Sequence, residues 1–267
     1  MKKVLISFLM MVVVVTVLVG CGAKENLKTE EQTSTTKEEV KTVEDTVDLS
    51  KIAIVTEDYP PTNYLDENGE LKGTSTELVK QALDKLGLST DIIKVYDWSK
   101  AYDMASNDEN VLIYTINRTP EREKMFKWIK PVAFDNVYMY KLKTKADVKI
   151  SSLEDAKKYK VATVAQDFTE EGLVSKGFEV GKNVISAPSQ KASIESVFDG
   201  KADVFIVASD EASIAKVLDG TDYKMADLER AYKVDELTSV GYIAASLNTS
   251  DEIVEKFKEA MPDIENK

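Results

Sequence analysis

The sequence predicts an α/β fold made of two α/β lobes. Short apolar runs alternate with amphipathic helical patterns, and a second series of the same kind begins near Asp135. Alternation of this kind is typical of β-α-β units, whose strands pair in a parallel sheet. The segment that carries both series, residues 48–267, is long enough for two small lobes.

The first series spans residues 52–115. Ile52–Thr56 is a short apolar run of the kind that parallel sheets bury. The tetrapeptide Thr-Ser-Thr-Glu at residues 74–77 resembles a capping box that opens a helix, and Gly87 is placed to end it. Three more elements follow: a strand at Asp91–Tyr96, a helix at Trp98–Ser106 and a strand at Val111–Thr115. This order predicts a parallel sheet.

The second series begins at residue 136. Its predicted elements are a strand at 136–143, a helix at 152–159, a strand at 160–164, a helix at 170–176, a strand at 183–188, a helix at 190–198, a strand at 202–208 and a helix after Ser209. A strand at Tyr242–Ala245 then returns, and residues 249–252 cap a last amphipathic helix. Two lobes fit this series of elements better than one.

The first 20 residues predict a lipoprotein signal peptide. Lys2 and Lys3 precede an apolar run, Val4–Val19, which has the length of a secretory signal and is marginal for a membrane span. The run ends in Leu-Val-Gly-Cys, which resembles a lipobox, so we expect Cys21 to carry a lipid at the outer face of a bacterial cell membrane. An uncleaved anchor helix is the alternative. Residues 21–47 are polar and lack aromatic side chains, which predicts a flexible tether.

Charge and residue usage exclude several classes of function. A formal net charge of -12 argues against a nucleic-acid partner. The chain has no histidine, and Cys21 is its only cysteine, which excludes histidine-dependent triads, histidine-ligated zinc and Cys-His nucleophiles. A carboxylate acid/base pair stays open, but no Asp or Glu stands in a recognisable catalytic setting. We therefore expect no enzyme, no metal and no cofactor.

Five segments, in the right order, resemble the extracellular solute-binding proteins of family 3, the capture subunits of amino-acid-type ABC importers. They are DYPPTNYLDENGELKGTSTELVKQALDKLG, YDWSKAY, LIYTINRTPEREKMFKWIKPV, GKADVFI and YIAASLNTSDEIVEKF. The resemblance implies the type II periplasmic-binding-protein fold, in which two α/β lobes joined by two crossing strands close on a ligand in the cleft. We place the crossings near residues 132–136 and 241–245, with 48–133 and 246–267 in one lobe and 134–245 in the other.

The same resemblance implies the partners. They are a small-molecule solute and an ABC permease complex, with the membrane contacted through the lipid anchor. A monomer is expected. The alternative is a sensory protein without transport, which would need a second membrane span and a signalling module.

Two arginines, Arg118 and Arg122, lie in what we interpret as the start of a helix. Helix N-termini attract anions, and a guanidinium can hold a carboxylate with two parallel hydrogen bonds. In the family the arginine at the position of Arg122 holds the solute's α-carboxylate, so replacing it should weaken binding and hardly change folding. The alternative for Arg122 is a pair with Glu121 or Glu123 on a solvated face. Arg118 is either a second anion contact or a structural ion-pair partner.

Other first-lobe side chains are expected near the solute. Tyr59 and Trp98 fall where the family places aromatic rings against the solute, and such rings also favour cations. Packing in the core is the alternative for both. Thr115 and Asn117 follow the third strand and are plausible hydrogen-bond partners, unless they form an ordinary loop.

The second lobe departs from the family pattern. Ala208 stands where the family usually has an aspartate for the α-ammonium, and residues 165–169 replace a small polar turn. Asp167, Phe168 and Asp210 are the candidate contacts here. Either one of these carboxylates binds the ammonium, or the solute is not an ordinary α-amino acid.

Overall fold

The computed structural model describes residues 47–237 and 239–265. The predicted signal peptide, Cys21 and all but the last residue of the predicted tether lie outside these residues. Within the described ranges, no helix is both long and apolar enough to cross a bilayer.

The first lobe forms around a five-stranded sheet. Its elements before the first crossing are β1 (Ala53–Thr56), β2 (Tyr64–Leu65), β3 (Leu71–Lys72), α1 (Thr74–Lys85), β4 (Ile93–Val95), α2 (Trp98–Asn107), β5 (Val111–Asn117) and β6 (Phe126–Asp135). Two elements at the end of the chain complete it, β12 (Ser239–Ser246) and α7 (Asp251–Ala260). The strand order is β4-β1-β5-β12-β6, with β4, β1 and β5 parallel and β12 antiparallel to both of its neighbours.

The second lobe also has a five-stranded sheet. Its elements are β7 (Tyr138–Leu142), α3 (Leu153–Ala156), β8 (Val161–Val164), α4 (Phe168–Ser175), β9 (Val184–Ala187), α5 (Gln190–Phe198), β10 (Val204–Val207), α6 (Glu211–Val217) and β11 (Leu228–Lys233). The strand order is β11-β7-β10-β8-β9, and the neighbours β10, β8 and β9 are parallel. Apolar clusters centred on Phe257 in the first lobe and Leu173 in the second, both fully buried, hold helices against these sheets. The two predicted α/β lobes are confirmed.

Two crossings join the lobes. The first lies between the end of β6 at Asp135 and the start of β7 at Tyr138. The second precedes Ser239, where β12 begins beside Asp135. Residues 241–245, where the sequence analysis placed this crossing, instead lie inside β12 and pair with β5 and β6.

The predicted helix around Arg118 and Arg122 is wrong. Residues 120–125 form turns, in which the amide of Arg122 donates to the Thr119 carbonyl at 3.1 Å. The chain then enters β6, where Phe126 pairs with Ser246 of β12. Pairing along β12 takes up the backbone groups that a continuing helix would need, so no helix dipole acts on Arg122.

Helix α1 begins as predicted, but the capping box does not form. Gly73 occupies the N-cap position, with φ 123° and ψ 161°, and no side chain caps the helix. The amides of Thr74, Ser75 and Thr76 instead donate to the carbonyls of Pro61 and Thr62, at 2.9–3.2 Å. Because these carbonyls satisfy the free amides of the first turn, the helix fixes the loop that follows β1.

Candidate functional site

A small cavity lies between the lobes, next to the carboxyl ends of β1 and β8. We call it the central cavity; it is lined by Glu57, Tyr59, Val164, Asp167, Thr169, Gln190, Ser193, Ile194, Phe205, Ile206 and Val207. Only Glu57 and Tyr59 come from the first lobe. The volume of this cavity open to the centre of a water molecule is about 10 Å³. It therefore has room for roughly one group the size of a water molecule. Ligands of open α/β sheets bind at this end of the strands, which makes the cavity the candidate site.

Two carboxylates, Glu57 and Asp167, face this cavity from opposite lobes. Burial away from water raises the pKa of Glu57 well above its usual value, and the nearby charge of Asp167 raises it further. Burial also raises the pKa of Asp167, although hydrogen bonds from Thr169 oppose the shift. Asp167 caps α4 by accepting from the Thr169 amide at 2.9 Å and from the Thr169 hydroxyl. Among the described residues, no hydrogen bond or ion pair reaches the Glu57 carboxylate.

The side chain of Gln190 has one end engaged and the other unpaired. Its Nε2 donates to Ser209 Oγ at 3.0 Å, and Ser209 Oγ donates to the Pro60 carbonyl at 3.2 Å. The Ser209 hydroxyl has one proton, which it donates to that carbonyl, so it must accept the hydrogen bond from Gln190. The end of the Gln190 amide next to Ser209 is therefore the nitrogen. The unpaired end of the Gln190 amide is therefore its oxygen, Oε1. This atom and Ser193 Oγ are both buried without a hydrogen-bond partner in the described chain.

Arg122 is fully buried and reaches across to the second lobe. Its Nη2 donates to the Gln166 carbonyl at 2.8 Å and to Glu171 Oε1 at 3.0 Å, while Nε lies 2.9 Å from Glu171 Oε2. The rings of Trp98 and Tyr102 pack next to it, with ring centres 5.4 and 4.9 Å from the guanidinium carbon and 5.6 Å from each other. This guanidinium thus holds a carboxylate of the protein itself. We call the pair of Arg122 and Glu171 the interlobe ion pair.

Both predicted aromatic residues lie at the contact between the lobes. Trp98, only 3% exposed, opens α2 and donates from Nε1 to the Gln166 carbonyl at 2.9 Å. The hydroxyl of Tyr59 accepts from the amide of Ala208 at 3.1 Å. Each ring therefore joins its own lobe to the other. Gln166 has φ 62°, a left-handed conformation, at the turn where its carbonyl receives two first-lobe donors.

Arg118 forms an ion pair within its own segment. Its Nε and Nη2 donate to the two oxygens of Glu123 at 2.8 and 2.6 Å, and its guanidinium carbon lies 5.3 Å from the Trp128 ring and 5.4 Å from the Tyr242 ring. Of the two roles left open for Arg118, this geometry corresponds to the structural ion-pair partner.

The remaining predicted residues do not reach the central cavity. Thr115 occupies a bulge in β5, with φ 64° and its hydroxyl buried without a described partner, and Asn117 ends that strand. Phe168 packs in the apolar core of the second lobe. Asp210 caps α6 through Ser213, whose hydrogen bonds lower the pKa of the Asp210 carboxyl.

Asp210 borders a second space, the hinge-side cavity, of about 330 Å³. Its lining residues are Pro61, Thr62, Thr74, Ala133, Phe134, Asn136, Tyr138, Ala208, Ser209, Asp210 and Arg230. Residues 59–61 and 207–209 border both cavities, so the Ser209 to Pro60 hydrogen bond lies between them.

Four residues of the site were missed by sequence reasoning: Glu57, Glu171, Gln190 and Ser193. Glu57 carried a usable signal, because it directly follows a strand predicted to be buried and parallel. The other three lie on helices of the second lobe, where nothing in the pattern distinguishes them from solvated polar residues.

Proteins of similar sequence include two amino-acid-binding proteins. The amino-acid-binding protein AabA of Dichelobacter nodosus is 25% identical over 202 residues, covering 74% of this chain and 76% of its own length. A probable amino-acid ABC transporter-binding protein of Haemophilus influenzae is 25% identical over 226 residues, covering 82% of this chain and 81% of its own length.

Solved structures show the same fold. The crystal structure of a histidine kinase sensor domain with similarity to periplasmic binding proteins superposes with a TM-score of 0.66 at 18% identity, covering 79% of this chain and 88% of that one. The predicted type II periplasmic-binding fold is confirmed. Residues 52–267 match the sequence profile of the bacterial extracellular solute-binding proteins, family 3. This chain belongs to that family.

Proposed function

We propose that this protein is the solute-capturing subunit of an ABC importer, which binds a small amino acid or related solute between its lobes and presents the closed form to a membrane permease. The family and fold are those of binding proteins, which act outside the cytoplasm. The observation that carries the proposal is the pair of first-lobe donors, Trp98 Nε1 and Arg122 Nη2, on the carbonyl of Gln166 in the second lobe. Contacts of this kind exist only when the lobes are closed.

The names of both relatives support an amino-acid-type solute, and one of them supports transport. The expectation that Arg122 binds a solute carboxylate stays a proposal. Such a carboxylate would have to replace Glu171 or use the remaining nitrogen, Nη1, which is buried without a partner in the described chain. A sensory role rests only on a structural neighbour of 18% identity, which carries no functional argument.

Solute binding is expected to close the lobes. A solute that contacts both lobes binds the closed form more tightly than the open one and so shifts the population toward it. Small-angle X-ray scattering of the purified protein should show a smaller radius of gyration with saturating solute, chosen by a thermal-shift screen of amino acids, amines and dicarboxylates. A solute at a hundredfold excess over its Kd should stabilise the fold by about 2.7 kcal/mol in that screen. Identical scattering with and without such a solute would contradict closure.

We further propose that a lipid on Cys21 holds the protein at the membrane, and the Leu-Val-Gly-Cys sequence at residues 18–21 supports this. Cys21→Ser should move the exported protein from the detergent phase to the aqueous phase in a phase-separation assay, because a lipidated N-terminus carries it into detergent micelles. A wild-type protein that never enters the detergent phase would rule out the anchor.

A further inference from the structure

The central cavity offers several hydrogen-bond acceptors. Glu57 and Asp167 contribute carboxylates, and Gln190 contributes an oxygen whose identity follows from its link to Ser209. Gln190 and Ser193 are 4% and 2% exposed, and Gln190 Oε1 and Ser193 Oγ are buried without partners in the described chain. Leaving a buried acceptor unpaired is costly, so a group that donates several hydrogen bonds would be stabilised here.

The charges around the cavity also favour a cation. The negative charges of Asp167, Asp58 and Asp97 raise the pKa of Glu57, and the positive charge of Arg122 lowers it. Arg122 lowers the pKa of both cavity carboxylates, but it is itself paired with Glu171, so one cation is shared among three carboxylates. Positive charge brought by a solute would offset the cost of keeping these carboxylates ionised away from water.

The size of the cavity limits which kind of cation can bind. A primary ammonium is close to a water molecule in size and donates three hydrogen bonds, whereas a guanidinium is larger and planar. A metal ion fits less well, because Ca²⁺ needs six to eight oxygen ligands and Mg²⁺ a near-ideal octahedron. Within residues 47–237 and 239–265, no group of three or more acidic, histidine or cysteine side chains is placed to hold a metal.

We propose that the central cavity binds the primary ammonium of the solute, held by Glu57, Asp167 and Gln190 Oε1, and that the solute is an aliphatic amine whose binding needs no carboxylate. This inference rests on the proposed function, because it names the class of solute that the same cleft captures. The absence of a carboxylate requirement follows from the interlobe ion pair: Glu171 already engages Nε and Nη2 of Arg122, and the one remaining nitrogen, Nη1, cannot provide the two-nitrogen fork that holds a carboxylate with two parallel hydrogen bonds.

Calorimetry with matched probes tests the proposal. Cadaverine and glutarate have the same five-carbon chain with ammonium or carboxylate ends, and L-lysine is cadaverine with a carboxylate added. Cadaverine should bind, with a Kd within about tenfold of that of L-lysine, and glutarate should show no binding below about 1 mM. Failure of cadaverine to bind, or a much tighter complex with L-lysine, would overturn the inference.

Glu57→Gln should weaken cadaverine binding on the order of 100-fold, because it removes the carboxylate charge that pairs with the buried ammonium of the solute. The matched control is Glu67→Gln, which makes the same chemical change on an exposed first-lobe side chain outside the cavity lining, and should change affinity less than about threefold. Equal losses in the two variants would show a general charge effect and count against the site.

The dependence of affinity on pH gives a second readout. A carboxyl group with a raised pKa is protonated at mildly acidic pH, whereas cadaverine stays charged there, so binding should release a proton and strengthen as pH rises toward the raised pKa. Titrations in buffers of different ionisation enthalpy measure that proton, and Glu57→Gln should reduce its number. Binding with no proton release at any pH would contradict the role of Glu57.

The outcomes separate this inference from the proposed function. If an amino acid without a side-chain ammonium closes the lobes while cadaverine does not bind, capture stands and the amine inference falls. If no member of the screen binds or reduces the radius of gyration, the proposed function falls with it.

Discussion

Arg122→Ala is expected to lower the free energy of unfolding by about 3 kcal/mol, because it leaves the Glu171 carboxylate without its partner between the lobes. The Arg122 side chain is fully buried, and the Glu171 side chain is one-quarter exposed. Water can therefore reach only a small part of this ion pair. Burial already raises the pKa of Glu171, and the charge of Arg122 opposes that shift. Chemical denaturation followed by circular dichroism measures the change.

The control for this experiment is the other arginine of the same segment. Arg118→Ala removes an ion pair of comparable geometry whose side chains are 37% and 47% exposed, so the loss should be about 1 kcal/mol or less. Similar losses for the two variants would mean that the interlobe ion pair does not stabilise the closed form. The expected result reverses the view from sequence alone, in which Arg122 served the solute and hardly affected folding.

Gly73→Ala should destabilise the protein by about 3 kcal/mol and weaken solute binding. Gly73 has φ 123° and ψ 161°, a region that only glycine populates, which alone costs about 1–3 kcal/mol for another residue. A Cβ atom there would also overlap the Thr62 carbonyl and lie 2.7 Å from the Asn63 amide nitrogen. The loop of residues 59–63 would have to move, and it carries Tyr59 to the second lobe. Thermal unfolding and calorimetry with the best solute of the screen measure both effects.

Gly69→Ala provides the matched comparison. Gly69 also has a positive φ, 77°, but nothing lies within 4 Å of an added Cβ, so only the backbone conformation opposes the substitution. That should cost about 1 kcal/mol and leave solute affinity unchanged. If Gly73→Ala behaves like Gly69→Ala, the loop is not fixed by its close approach to α1.

The alternation of apolar runs and helical patterns was enough to predict most of the fold. It places β1, α2, β5 and the second-lobe elements other than β11 correctly, because buried strands give short apolar runs and helices give an apolar face. It failed after β5, where Pro120 and nearby charges resemble a helix start. Residues 126–135 form a strand only because β12, more than 100 residues later, pairs with them, and a local pattern contains no trace of such a partner.

The site was less predictable than the fold. Tyr59 and Trp98 were predicted because they fall where the family places aromatic rings against the solute. Glu171 was not predicted, since it lies 49 residues after Arg122 in the sequence and meets it only where the two lobes come together. The role of Gln190 depends on the direction of its amide, which only the hydrogen bond to Ser209 determines.

The Gln166 carbonyl accepts hydrogen bonds from both Trp98 and Arg122, and it is a main-chain group that every amino acid supplies. The side chains that line the central cavity, such as Glu57 and Gln190, are separate from it. A descendant of this protein could therefore exchange its solute-contacting side chains, one at a time, while inheriting the contacts that close the lobes. The solute specificity of the cleft can therefore change while the hydrogen bonds that hold the lobes closed are retained.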